Sequence, residues 1–356
     1  MRLATAADRS PAGRRQAHLA DRPMMIPSDI LTLDAAAEVD RLSEGLRHGI
    51  LTAFRKRGAV VGCSGGVDSS VVLALCVRAL GPERVLAVLM PERESSPDSL
   101  TLAGSWAAQL GVETVIEDIT PALEASGCYR RRDEAIARVF PGYGPGWKSK
   151  ITLPGSLLEE DTLNVFSLTV IDPGQAEHTR RMPPQEFSQI VAGSNFKQRM
   201  RMTFLYYHAE LRSLAVVGTA NKDEHDLGFF VKYGDGGVDV APIVHLHKVE
   251  VYRLAEALAV PSEIRRRTPT SDTYSAGSTQ EEFFYRLPFE VLDPIWAGQD
   301  RGLTAAQIAQ AVGLEEEQVE RVLRDLSQKR RTTAYLRAPV LEYGGHPPAS
   351  GPGAAP

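Results

Sequence analysis

The sequence predicts an α/β fold built on a doubly wound parallel sheet, and three observations carry that reading. Short β-branched apolar runs alternate with helix-length apolar patterns from residue 59 onward, the pattern of right-handed βαβ crossovers. The first run ends in a glycine-rich turn, "GCSGGVDSSVV" at residues 62–72, punctuation that passes a strand straight into a helix. No run approaches the roughly 20 apolar residues that span a bilayer, so the apolar segments are expected to pack on one another.

Residues 1–30 are polar and proline-containing, a tail with little to bury and expected to be disordered. Met24 or Met25 is an alternative start. From Asp34, Val39, Leu42, Leu46, Ile50 and Phe54 recur at helical spacing. "AVVGC" (59–63) reads as a buried strand and "DSSVVLALCVRAL" as a mostly apolar helix closed by Gly81–Pro82. "RVLAVLMP", "SLTLAGSWAAQLG" and "ETVIEDI" continue as strand, helix and strand. Residues 128–190 break the rhythm with "RRRDEA", "FPGYGPGW" and a hairpin in "LNVFSLTVIDPGQAEHTRRM" turning at Asp172–Gly174. That stretch reads as an insertion or lid-like excursion. The alternation resumes with a helix around 195–211, a strand "LAVVGT" (214–219) and a helix across 247–259. At 300–330, "TAAQIAQAVGLEEEQVERVLRDL" predicts two short helices, the first opened by a Thr304/Gln307 capping box. One domain over 31–340 follows, with a second disordered tail at 341–356.

A chain that is 43% hydrophobic and 24% charged has ordinary globular composition. Its net charge of −5 offers no bulk attraction to nucleic acid or an anionic membrane. The first 25 residues lack the apolar centre of a secretory signal. Cys63, Cys76 and Cys128 show no CxxC spacing, which argues against a disulfide framework or zinc site and for a cytoplasmic protein.

The glycine-rich turn carries the first chemistry. Gly65 and Gly66 allow a tight turn and close approach of a phosphate, and the helix start adds partial positive charge. Ser64, Ser69 and Ser70 add hydroxyls. Asp68 would repel a bare anion, so a cation is expected to bridge it to the phosphates, and Mg²⁺ suits a carboxylate-plus-phosphate site. Neither GxxxxGK[ST] nor GxGxxG occurs here, which sets aside the common P-loop and dinucleotide fingerprints.

Further along, "NFKQRMRMTFLYY" (195–207) places Lys197, Arg199 and Arg201 close together, by itself a solvated basic helix face. "VVGTANKDEHDLGFFVKYGDGGVDVAPIVHLHKVEVYRLAEAL" then ends a strand at Gly218–Thr219 and continues into an acidic cluster with Glu224. Such residues stand at the carboxyl edge of an open sheet, where ligands bind. "HLH" at 245–247 suggests a metal, but the sequence offers no partner ligands nearby.

"SGGVDS" after the first strand resembles the pyrophosphate loop of the N-type ATP pyrophosphatases. With Asn195, Lys197 and Arg199, then Gly218, Thr219, Asn221 and Glu224, "GFFVKYGDGGVD" over 228–239, Pro242, Lys248 and "PTSD" at 269–272, the chain resembles the ammonia-dependent NAD synthetase family from about residue 35 to 340. The resemblance implies a Rossmann-like fold of the adenine nucleotide alpha hydrolase type, and ATP-dependent amidation of deamido-NAD through an acyl-adenylate. It implies ATP contacts from Gly62, Cys63, Ser64, Gly65, Gly66, Val67, Asp68, Ser69, Thr219, Lys248 and Thr270, with Mg²⁺ on Asp68 and Glu224. Arg199, Lys232 and Asp239 would contact deamido-NAD, with Asn195, Tyr233 and Asp235 nearby. "SQKRR" resembles the family's "EHKR", so Gln328 and Lys329 are expected to close over the site. Asp68, Lys248 and Lys329 would carry the catalytic charges. A homodimer is likewise implied.

Four features depart from the usual pattern: Gln328 in place of histidine, Leu89 in place of arginine, "AGSTQEEFFYRLPFEVLD" after "PTSD", and the long 128–190 stretch. They leave a rival open, an adenylating amide ligase of the same scaffold acting on another carboxylate. No glutaminase segment fits before residue 31, so ammonia is expected to arrive free or from a separate amidotransferase. A nucleic-acid-reading helix pair at the C-terminus is disfavoured by Glu315, Glu316 and Glu317 at the start of its second helix. The arginine runs at 130–132 and 265–267 read as solvated faces.

Overall fold

The computed structural model describes residues 30–153, 155–159, 165–271 and 274–343. Of the expected tails at 1–30 and 341–356, all but Ile30 and the exposed residues 341–343 lie outside the described residues, as does Asp272 of "PTSD". Ile30, assigned to the first tail, is buried against the C-terminal helices.

Strands β1 (Gly58–Gly62), β2 (Val85–Leu89), β3 (Glu113–Ile116) and β7 (Leu214–Val217) form one sheet in the order β3-β2-β1-β7. All pairings in it are parallel, with Val60 beside Leu86 on one side and Val216 on the other. The side chains alternate with period two. Ala59, Val61, Ala87, Leu89, Ala215 and Val217 face α1 (Ala35–Arg47), α2 (Val67–Leu80) and α3 (Pro97–Gln109), while Val60, Leu86, Val88, Leu214 and Val216 face α4 (Cys128–Val139) and α5 (Pro184–Arg212). Helices on both faces make the sheet doubly wound, as the apolar runs predict. The chain moves outward through β2 and β3, then returns to the far side of β1. The crevice at the carboxyl ends of β1 and β7 is therefore the switch point where such sheets bind ligands.

The 128–190 stretch is not one separate excursion. It contributes α4 to the core, an antiparallel sheet of β4 (Lys148–Thr152), β5 (Ser167–Ile171) and β6 (Glu177–Arg181), and the opening turns of α5. The β5–β6 hairpin turns where the sequence expects it, with Gln175 N–H donating to Asp172 O. α5 runs 29 residues with little one-sided apolar period, because its buried positions include Ser194, Lys197 and His208 while Tyr207 and Leu211 stand exposed. Gly193 lets α4 and α5 approach closely: a Cβ there would stand 3.4 Å from Arg132 N and Cys128 O.

After β7 come α6 (Lys222–Leu227) and α7 (Lys248–Ala257), then α8 (Phe289–Asp300), α9 (Ala305–Val312) and α10 (Glu316–Thr332). The last three pack around Trp296, Ile295 and Leu292 as a second core. The capping box at Thr304 forms as the sequence predicts, whereas α10 runs 17 residues rather than a short helix.

Candidate active site

β1 delivers the chain into the glycine-rich turn. Gly65 has φ +75°, and a Cβ there would lie 2.5 Å from Ser99 O, so only glycine fits. Gly66 is the N-cap of α2. Ser64 Oγ accepts from Gly66 N–H at 3.3 Å and lies 3.2 Å from Ser69 Oγ, while Ser69 and Ser70 hydroxyls donate to Gly66 O. The hydroxyls thus fix the turn at the start of a 14-residue helix, whose dipole favours an anion there.

Asp68, one residue into α2, meets two groups from distant segments. Its Oδ2 meets Lys248 Nζ, and its Oδ1 accepts from Asn221 Nδ2 at 3.0 Å. Asn221 caps α6 and accepts from Glu224 N–H at 3.0 Å, completing a capping box that fixes the Glu224 carboxylate. Glu224 Oε1 in turn accepts from Gln280 Nε2 at 3.1 Å. Burial, then the neighbouring Asp68 charge, pushes the Glu224 carboxyl up to about 8. Burial opposes the Lys248 ammonium, yet Asp68 and Glu224 outweigh it and hold its pKa above the ordinary lysine value. Two carboxylates on one cavity wall, one of them held against its own ionisation, form a donor set that a divalent cation would complete.

Lys248 is the first residue of α7, and buried carboxylates hold that helix start. Asp223 accepts from Lys248 N–H and Asp293 from Val249 N–H, each at 2.8 Å. His247 Nδ1 lies 2.9 Å from Asp223 Oδ1. The partners that "HLH" lacks in sequence therefore exist: ligand atoms of Asp223, His247 and Asp293 all lie within 4.8 Å. They cap α7 and so aim Lys248. Asp223, Asp293 and Gln280 escape sequence reading because their partners come from other segments.

Asp68, Glu224, Lys248 and Gln280 open onto a cavity of about 890 Å³. Of the expected ATP-contacting residues, Gly62, Cys63, Ser64, Gly66, Val67, Asp68, Ser69, Thr219, Lys248 and Thr270 line it, as does Glu224; of the expected substrate residues, Asn195, Arg199, Lys232, Tyr233 and Asp235 do. Burial raises the Asp235 carboxyl to about 6, against the opposing hydrogen bond from Val231 N–H. Lys232 Nζ donates to Tyr335 O and Ala338 O, which ties the "KYGDGG" turn to the C-terminal segment.

Four residues that the resemblance assigns to the site stand outside the lining. Gly65 shapes the turn from behind. Asp239 accepts from Tyr206 OH at 3.0 Å and from Val216 N–H at 2.8 Å. Gln328 is exposed on α10. Lys329 is buried, with Nζ 2.7 Å from Asp325 Oδ2 and 2.6 Å from Phe284 O, so it braces the cavity wall from outside.

Two basic stretches differ from a solvated-face reading. Lys197 is fully buried between Glu92 (2.8 Å) and Glu94 (2.7 Å), and Arg132 is buried in a two-pronged pair with Glu94. Charges at 92–94 meet them only through the fold.

The model of the NAD synthase family matches residues 38–138 and 159–335. The NH(3)-dependent NAD(+) synthetase of Mesorhizobium japonicum is 51% identical over 312 residues, covering 88% of this chain and 98% of that protein. Its counterpart in Thermotoga maritima is 41% identical over 242 residues, covering 68% of this chain and 80% of its own. Among solved structures, the NH3-dependent NAD synthetase of Campylobacter jejuni aligns with TM-score 0.56 and 23% identity over 87% of this chain and all of that one, a likeness of fold.

Proposed function

The chain belongs to the NAD synthase family, and on that premise we propose that its cavity performs ATP-dependent amidation of deamido-NAD with ammonia. The carrying observation is the convergence of the Gly62–Ser69 turn, Thr219, Glu224, Lys248 and Thr270 on one cavity from segments up to about 200 residues apart. In this reading a nicotinate carboxylate oxygen attacks the α-phosphorus of ATP, and the bond to pyrophosphate breaks. Ammonia then attacks the acyl carbon, loses a proton, and displaces AMP to give the amide.

The chain's part is positioning and charge. The turn and the start of α2 receive the β,γ-phosphates, with Ser64 and Ser69 presenting hydroxyls. Lys248, held by its capped helix, sets an ammonium where negative charge grows on the phosphates. Asp68 and Glu224 would hold Mg²⁺, which when bound neutralises the leaving pyrophosphate. Arg199, Lys232, Tyr233 and Asp235 take the dinucleotide, with Asn195 beside them. Adenylation turns a poor acyl donor into a good one, so little acid–base machinery is required.

We assign ammonia as the direct nitrogen source, delivered free or by a separate amidotransferase, and a homodimer as the working assembly. Among the described residues no helix is long and apolar enough to cross a membrane, and the three free cysteines support a cytoplasmic setting. Mass-spectrometric detection of NAD from deamido-NAD, ATP, Mg²⁺ and NH₄⁺ tests the reaction, with Asp68→Ala as control. Equal rates with glutamine alone would overturn the ammonia assignment.

A further inference from the structure

The arginine run at 265–267 divides in the structure. Arg265 pairs with Glu256 at 2.8 Å, and Arg266 folds back on Ser262 Oγ at 3.1 Å. Both find partners close by in the sequence. Arg267 turns the other way: it is half-buried and lines the cavity with Thr268, Pro269 and Thr270. Its Nη2 donates to Ser99 Oγ at 2.8 Å, and among the described residues no carboxylate comes within ion-pair distance of it.

Ser99 is the residue against which the glycine-rich turn is built. A Cβ on Gly65 would stand 2.5 Å from Ser99 O and 3.2 Å from Ser99 Cα, and Ser95, Ser96 and Ser99 line the cavity there. The anchor therefore holds the guanidinium at the flank of the turn, on the wall that α3 makes. Lys248 approaches the same turn from α7, but its ammonium already faces Asp68.

An arginine that lines a cavity without a carboxylate keeps its charge and most of its donors for a ligand. Its planar fork matches the oxygens of a phosphate two at a time. A triphosphate carries more negative charge than one paired ammonium and one divalent cation balance. We propose that Arg267 is a pyrophosphate-binding residue, gripping the β,γ-phosphates of ATP from the Ser99 side of the turn as their bond to the α-phosphorus breaks. This assignment rests on the amidation reading, in which the turn receives those phosphates. Were Arg267 only a tie between α3 and the 268–270 segment, a neutral donor to Ser99 would serve as well.

The test is calorimetric titration of the full chain with ATP, AMP and pyrophosphate, each in the presence of Mg²⁺. Arg267→Met is expected to weaken ATP and pyrophosphate roughly ten- to hundredfold, the effect of losing charge-assisted hydrogen bonds. AMP lacks the β- and γ-phosphates, so its affinity should not change. Arg267→Gln keeps a donor for Ser99 without the charge and should behave like Arg267→Met. Arg267→Lys should retain more of the parental affinity than either. Unchanged ATP and pyrophosphate affinities, equal weakening of AMP, full rescue by glutamine, or a lysine variant no tighter than methionine would each overturn the assignment. Should Arg267→Met not fold, Arg267→Gln carries the same three titrations. A parental chain that binds ATP and pyrophosphate but forms no NAD would instead overturn the amidation reading and leave the phosphate contact standing.

Discussion

At the scale of single residues, Asp68 and Lys248 show how the site holds charge before any substrate arrives. Lys248 is only 1% exposed, and its ammonium faces the Asp68 carboxylate. Removing one member of such a pair strands the other, at a cost of about 3–5 kcal/mol. Asp68→Ala is therefore expected to lower the melting temperature by about 5 °C or more as well as abolish NAD formation. The double variant Asp68→Ala/Lys248→Met removes the stranded charge, so calorimetry should show most of the stability restored while activity stays absent. A single variant with unchanged melting would mean the pair contributes nothing to the fold. Asp68 could be singled out from the turn that contains it, because a carboxylate beside glycines expected to receive phosphate calls for a cation. The role of Lys248 came only through family resemblance, since its partner lies 180 residues away.

At the scale of elements, the continuous apolar runs of β1, β2 and β7 were readable because both faces of the sheet are covered. The loop after β2 was not. "MPERESS" places Glu92 and Glu94 in what looks like a solvated turn, yet both meet Lys197 of α5, and Arg132 of α4 closes on Glu94. A sequence separation of over 100 residues hides that network. Lys197→Met would leave two acids in a buried site, and we expect a loss of about 3–5 kcal/mol by chemical denaturation. The same network makes a pH prediction. Burial opposes ionisation of Glu94, but Arg132 and Lys197 prevail and depress its carboxyl to about 2. Its unfolded value is about 4.3, so its contribution is fully present above that pH. The contribution falls away as pH drops from about 4.3 toward about 2. Glu94→Gln should flatten the loss of stability over that window, and an unchanged acid limb would show that Glu94 does not govern it.

At the scale of the whole molecule, the sheet has one open edge. β3 is exposed along most of its length, and His208 and Arg212 of α5 fasten across it to Glu117 and Glu113. Ile116, Tyr207 and Leu211 stand out from that face, 59%, 57% and 65% exposed, an apolar group of the kind that marks an interface. Asp239, which the resemblance assigns to deamido-NAD, lies at the opposite edge of the sheet, where it accepts from Val216 N–H of β7 and from Tyr206 OH and stands outside the cavity lining. A substrate held wholly inside one chain's cavity would not meet Asp239, whereas one bound across two chains could. Sedimentation is therefore expected to give twice the 38.8 kDa chain mass, and Leu211→Asp to give the single mass. Breaking the dimer should raise KM for deamido-NAD several-fold and leave KM for ATP nearly unchanged, because the turn, Lys248 and Glu224 all come from one chain. A monomeric Leu211→Asp variant with unaltered KM for deamido-NAD would place the dinucleotide within a single subunit and leave Asp239 its hydrogen bonds to Tyr206 and Val216 alone.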